Sequence, residues 1–273
     1  MKLAYALIFV CTFALPLAAQ WPDFVRADVP RTADGKPNLD APAPRLPNGK
    51  PDFTGTWESR IPPSGRLGGP ALPSLTKDAP PLATFVDVGR GMTGGLPMTP
   101  WAADLKKQRM AKFSRDNPDA HCLPLGFMQL HTHSQPRKVV HTKDELIILY
   151  EANHGQRQIF TDGRALPAGD PQPWWDGYSV GQWDGDTLVV TSLGFRDDGW
   201  LDVNGSPFGN TTKLTERFRR VNYGRMEIDL TIEDPKAYTK PFTVRVNWRL
   251  YPEQQLIEFV CNENEKSSEH LIK

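Results

Sequence analysis

From Lys138 onward, apolar and polar residues alternate with a period of two, and this constrains the fold more than any other feature. Met226, Ile228, Leu230 and Ile232 share one parity, with Glu227, Asp229, Thr231 and Glu233 on the other. Phe242, Val244, Val246, Trp248 and Leu250 repeat the pattern against Thr243, Arg245, Asn247 and Arg249. Successive strand side chains point to opposite faces, so the pattern predicts antiparallel sheet with one apolar and one wet face. Runs at 139–141, 146–153, 157–162, 178–183, 187–195, 214–221, 226–233, 242–251 and 256–261 follow one another as a meander. Such a series predicts a mainly β fold, an up-and-down lipocalin-like barrel or strongly coiled sheet, because closure removes exposed edges.

If consecutive strands zigzag, alternate connections gather at one end. Tight turns at Asn153-His154-Gly155, Asp184-Gly185-Asp186, Asn222-Tyr223-Gly224 and Pro252-Glu253-Gln254-Gln255 then share an end, with Asn, Asp and Gly supplying positive φ. The other end receives the loops 163–177, 196–213 and 234–241, the tail after Cys261, and the short turn Thr142-Lys143-Asp144. Long loops cluster around function, so that end is the expected mouth.

Upstream the texture differs. Residues 20–100 hold 15 of the 26 prolines, which excludes long regular helix or central strand there and predicts an arm that wraps another surface. One short strand candidate, 53–58, interrupts it. Within 101–137, a helix is expected from the Thr99 cap and Pro100, with Trp101, Leu105, Met110 and Phe113 as its apolar side, ending before Asn117-Pro118. The expected organisation is therefore an arm (20–100), a helix and linker (101–137) and a barrel domain (138–273).

Residues 1–19 have the layout of a cleaved export signal: Lys2, an apolar run from Leu3 to Phe13, and the small-residue exit Leu17-Ala18-Ala19. The run is too short for a membrane span, and Cys11 inside it is misplaced for lipid attachment. A secreted or periplasmic protein with no integral membrane anchor after signal removal is expected. The remaining 31 basic and 32 acidic residues form no basic block, which excludes an electrostatic footprint for nucleic acid. Cys122 and Cys261 are expected to form one disulfide in an oxidising compartment, two free thiols or half a metal site being the alternatives.

Several motifs bear on chemistry. Gly177-Tyr178-Ser179-Val180-Gly181 matches G-x-S-x-G, but it runs into a hairpin, whereas a nucleophilic serine needs a strand-to-helix elbow. His131 and His133 would share a face on a strand, yet Ser134-Gln135-Pro136 follows where a metal site wants a carboxylate; solvated loop histidines are expected, and no metal or cofactor. His154, readily poised near neutral pH, stands close to Arg157 at a short turn. The mouth segments are rich in aromatics and carboxylates: Trp174 to Tyr178, Phe195 to Asp202, Glu216, and Asn262-Glu263-Asn264-Glu265. Glu216 shares parity with Leu214 and Phe218, so it faces inward and needs Arg217, Arg157 or a ligand as compensation.

Phe53-Thr54-Gly55-Thr56-Trp57 resembles the F-x-G-x-W start of lipocalin-like (calycin) barrels. Most of residues 100–273 resembles an uncharacterised family of predicted secreted bacterial proteins. The shared segments include Thr99-Pro100-Trp101, His121-Cys122-Leu123-Pro124, 176–181, 184–190, Trp200-Leu201-Asp202, 216–220, 234–241 and 261–264. Members carry Pro-His-Ser where this chain has Pro207-Phe208-Gly209, so a catalytic role of that histidine would not transfer.

Two functions follow as expectations. One is an extracytoplasmic barrel that binds a small apolar or aromatic molecule at its mouth, with Arg157, Trp175, Trp200, Arg217, Asn262 and Glu263 as contacts. The other is a cofactor-independent acid–base enzyme (lyase, isomerase, hydratase or hydrolase) using Tyr178, Asp202, Glu216 and His154. The enzyme needs Asp202, Glu216 and Tyr178 to converge on one cavity. A third reading, an interaction protein meeting a partner through its arm, leaves the aromatic and carboxylate cluster without a role.

Overall fold

A computed structural model describes residues 28–59 and 72–263. The expected signal at 1–19 with Cys11, and Asn264 and Glu265, lie outside the described residues. The chain forms β1 (Gly55–Glu58), α1 (Pro100–Ala111), α2 (Phe127–Thr132), β2 (Arg137–His141), β3 (Glu145–Tyr150), β4 (Gln156–Phe160), β5 (Tyr178–Asp184) and β6 (Thr187–Leu193). The two-residue strands β7 (Gly199–Trp200) and β8 (Pro207–Phe208) follow, then β9 (Lys213–Asn222), β10 (Arg225–Glu233) and β11 (Phe242–Leu250).

Nine of these strands close a barrel in the order β1-β11-β10-β9-β6-β5-β4-β3-β2, while β7 and β8 form a separate ribbon. The fold is mainly β and fits a lipocalin-like barrel. The inward rows carry the period-two pattern: Leu214, Phe218, Met226, Ile228, Leu230, Ile232, Val244 and Trp248 are all buried. The ninth strand is β1, from the arm, which pairs with β2 through Gly55↔Val139 and with β11 through Trp57↔Leu250. Residues 256–261, read as a strand from local alternation, have no strand partner. Alternation alone does not make a strand when both neighbouring edges are taken.

One pair breaks the zigzag. β4 and β5 run parallel, joined by only two rungs, Ile159↔Ser179 and Phe160↔Val180. Parallel neighbours need a crossover, so residues 161–177 carry the chain from one end of the barrel to the other. The assignment of the two earlier turns is therefore reversed. Thr142-Lys143-Asp144 lies at the tight-turn end, whereas the Asn153-His154-Gly155 turn joins the long loops. Residues 194–212 and 234–241 and the start of β5 gather at that same rim. The tail also returns to it, where Ile257 N donates to Glu151 Oε2 (3.1 Å) and Cys261 is disulfide-bonded to Cys122, with Cα atoms 5.6 Å apart.

The arm closes what the strands leave open. At the tight-turn end, Tyr223 and Gly224 donate backbone N–H to Ala41 and Leu39 (both 2.7 Å), and Phe53 stacks on His141. Further along, the backbone of Arg245 bonds Pro81 and Ala83 (2.8 and 2.9 Å), occupying the β11 edge that the short β1 does not reach. The supposed wet face of β10 and β11 is consequently covered. Glu227, Arg245 and Asn247 are buried, and Leu75 N donates to Glu227 Oε1 (2.7 Å) while Asn247 Nδ2 donates to Leu72 O (2.8 Å).

α1 begins as expected, with Thr99 Oγ1 accepting from Ala102 N (3.3 Å) and Pro100 in the first turn. Its apolar side does not face the core. Trp101, Met110 and Phe113 are exposed, and the helix docks through Ala102 and Arg109, whose guanidinium lies over the Trp200 ring (4.4 Å). Its spacing was too ragged to define a face.

Candidate functional site

α2 places a histidine inside the barrel. All six of its residues are buried, and Trp248 Nε1 donates to the His131 carbonyl (3.0 Å). Gly126, just before it, sits so close to Phe208 and Trp200 that a Cβ would fall 2.6 Å from the Phe208 ring. His131 is thus neither solvated nor on a strand, contrary to expectation. Its Nε2 is 2.7 Å from Glu216 Oε1 and its Nδ1 3.2 Å from the Tyr150 hydroxyl. An ionised carboxylate only accepts, so Nε2–H donates to Glu216 and Nδ1 accepts from Tyr150. Burial lowers the pKa of His131 against the opposing pull of Glu216, so the imidazole is neutral.

Glu216 faces inward, as its parity requires, and Arg157 supplies its compensation. Arg157 Nη1 donates to Oε1 (2.9 Å) and Nη2 to Oε2, and Nη2 also donates to Ser192 Oγ (2.9 Å) and Ser179 Oγ (3.2 Å). Burial alone would raise the Glu216 pKa; the charge and hydrogen bonds of Arg157, with His131, outweigh it and bring it to about 2. Ser179 is therefore a buried anchor for Arg157 on a regular strand, bonded to Ser192 Oγ (2.8 Å), and not an elbow nucleophile.

Above this network a cleft of about 470 Å³ opens where β4 and β5 come apart at the long-loop rim. His154, Arg157, Trp174, Trp175, Asp176 and Tyr178 line it. Gly177 makes the local bend with φ +62°, at a point where a Cβ would lie 2.5 Å from Leu193 O. Trp174 stacks on Tyr178 (4.4 Å between centroids), and the Tyr178 hydroxyl donates to Gln172 O (2.9 Å). Trp175 lies under the Arg196 guanidinium (4.8 Å). Asp176 is the chemically distinctive group. Its Oδ1 is sealed from solvent and has no hydrogen-bond partner. Burial, reinforced by Glu216 and opposed by Arg157, pushes its pKa up to about 7.

The structure thus brings four sequence-named residues, His154, Arg157, Trp175 and Tyr178, to one cleft, with Glu216 directly behind Arg157. It does not bring Asp202 there. Asp202 is buried in its own loop, accepting from Val88 N (3.0 Å), Ser206 N (3.0 Å) and Ser206 Oγ (2.8 Å). Trp200 is buried beneath Arg109, Arg217 faces outward to Asp184 (2.8 Å), and Asn262 and Glu263 are exposed beyond the disulfide. Asp202, Glu216 and Tyr178 do not converge. Phe208 is a packing residue against Phe127 (4.9 Å) and Phe195 (5.6 Å).

Asp176, His131, Ser192 and Tyr150 were missed as site residues. Asp176 was legible only as part of an aromatic-flanked segment, and the seat of α2 had no local signal. Among the described residues, no three His, Cys, Asp or Glu side chains gather as a metal site, and no helix is long and apolar enough to cross a membrane. No protein-family model, curated protein or solved structure matches the chain.

Proposed function

We propose that this is an extracytoplasmic binding barrel that holds a small aromatic molecule in the rim cleft between β4 and β5. One observation carries the reading: an aromatic-walled cleft of about 470 Å³ ends on a polar floor whose Asp176 Oδ1 has no protein partner. Binding sites of this kind are mostly apolar, with a few placed polar groups. Export rests on the signal-like residues 1–19 and on the disulfide, and kinship with the family of secreted bacterial proteins belongs to the same proposal. The direct test is a thermal-shift and tryptophan-fluorescence screen of small aromatic compounds, since a ligand stabilises the folded state by RT ln(1 + [L]/Kd) and so raises Tm. Trp174→Ala should abolish the response; hits that survive it would place binding elsewhere.

A second reading, a cofactor-independent acid–base enzyme, is favoured by one feature. Asp176 is raised to about 7 while Glu216 is held at about 2, and carboxyls whose pKa values separate can divide acid and base roles. Recovery of a bound compound chemically unchanged after prolonged incubation decides for the binder; conversion that is lost in Asp176→Asn decides for the enzyme.

A further inference from the structure

Charge and hydrogen-bond accounting in the cleft goes beyond the choice of an aromatic ligand. Arg157 is matched by the bidentate Glu216 carboxylate and by the Ser179 and Ser192 hydroxyls. Arg164, also at the cleft, is ion-paired to Asp162 (2.6 Å) and stacked on Phe160 (3.7 Å). Neither guanidinium leaves an unanswered positive charge for an anion. The unanswered group is an acceptor, Asp176, a partly exposed residue of the cleft lining whose Oδ1 is sealed without a donor. Beside it stands Trp174, packed on Tyr178 with about half of its surface open (52%). Indole faces attract cations, and a cation that also donates hydrogen bonds satisfies a buried carboxylate.

The geometry points to a ligand of defined class, a small aromatic amine whose ring lies on Trp174 and whose ammonium engages the Asp176 carboxylate. This rests on the cleft reading above and names its ligand chemistry. An aromatic alcohol would satisfy the acceptor without balancing its charge, and an aromatic carboxylate would meet Asp176 as a like charge. In the free protein Asp176 is partly protonated near neutrality, because burial and Glu216 raise it against the pull of Arg157. Amine binding therefore displaces a proton, and affinity rises with pH through about 7. His154, on the turn at the cleft mouth, is a second titratable group lining the cleft, so the Asp176→Asn comparison assigns the pH effect.

The test is a tryptophan-fluorescence titration of the disulfide-intact chain at pH 8 with 2-phenylethylamine, 2-phenylethanol and 3-phenylpropionate. The amine is expected to bind at least about tenfold more tightly than the alcohol, in line with a hydrogen bond to a charged group, and the carboxylate least. Asp176→Asn, an isosteric change, should bring the amine down to the alcohol's affinity, leave the alcohol unchanged and remove the pH dependence. Equal binding of amine and alcohol, or an amine affinity or pH profile unaltered in Asp176→Asn, overturns the inference. If all three probes bind with equal affinity and Trp174→Ala abolishes them, the aromatic cleft stands without the amine. If none binds, both readings fall.

Discussion

A carboxylate buried beside a guanidinium is stable only as a pair. Glu216→Gln leaves Arg157 with a buried, unanswered charge and should cost about 3–5 kcal/mol in urea unfolding, whereas replacing both partners by apolar residues of similar volume should cost far less. The pH dependence has a defined sign. Glu216 is held at about 2 in the folded chain against an ordinary 4.5, so its contribution is complete above about pH 4.5 and is lost as pH falls toward 2. Asp176 works the other way. Its pKa rises from 3.8 to about 7 on folding, so the native state keeps a proton that the unfolded chain has released, and stability falls as pH climbs between those values. Asp176→Asn should therefore stabilise the protein by about 1–3 kcal/mol at pH 8 and by nothing near pH 3. Comparing variant with wild type at each pH separates this from His131, whose lowered pKa tilts the curve oppositely. Parity made the inward direction of Glu216 legible. The same parity turns its strand neighbour Arg217 outward, but only pairing across β4, β5, β6 and β9 decides that Arg157, and not a ligand, is the partner.

The strands of the second half were readable because one buried face imposes period two on each of them. The elements that escaped were set by neighbours. β1 was legible as the strand candidate 53–58, but its place was not: it closes the barrel because β2 and β11 leave an open seam between them. Trp57 fills that seam, fully buried with Nε1 donating to Phe53 O (3.0 Å). Trp57→Ala should cost about 3–5 kcal/mol by the cavity it leaves, read as a lower denaturant midpoint. α2 is only six residues, too short to be stable alone. Its stability comes from the barrel end it enters, and Gly126 permits the close approach. Gly126→Ala should cost about 1–3 kcal/mol through overpacking against Phe208 and Trp200. Since α2 carries His131, the same change should disturb the Glu216 network, which a shifted acid limb of the stability curve would report.

At the scale of the molecule, the arm and the disulfide complete a barrel that the meander leaves unfinished. The arm covers the tight-turn end and the outer face of β10 and β11, while Cys122–Cys261 ties the tail to the segment beside the cleft across 139 residues. Asn153 Nδ2 donates to Asp119 Oδ1 (2.9 Å) and Leu123 O (3.3 Å), so this segment also braces the His154 turn. Replacing both cysteines by serine should cost roughly 3–5 kcal/mol in the chain-entropy account and weaken ligand binding at the cleft, measured by unfolding and by titration under the same conditions. The alternation of side chains, the proline density of the arm and the two cysteines are local or compositional properties, and from them the class of fold, a wrapping arm and an expected cross-link could be derived. Whether β5 runs with or against β4 is not local. It depends on which edge is free when the crossover arrives, and it is that parallel pair which brings the His154 turn to the long loops and opens the cleft. The chain's own alternation thus determined that a barrel forms with Glu216 inside it; only closure of the sheet decided that Asp176, and not Asp202, would line the cleft with a carboxylate oxygen lacking a partner, because burial and charge matching are properties of what surrounds a residue in space.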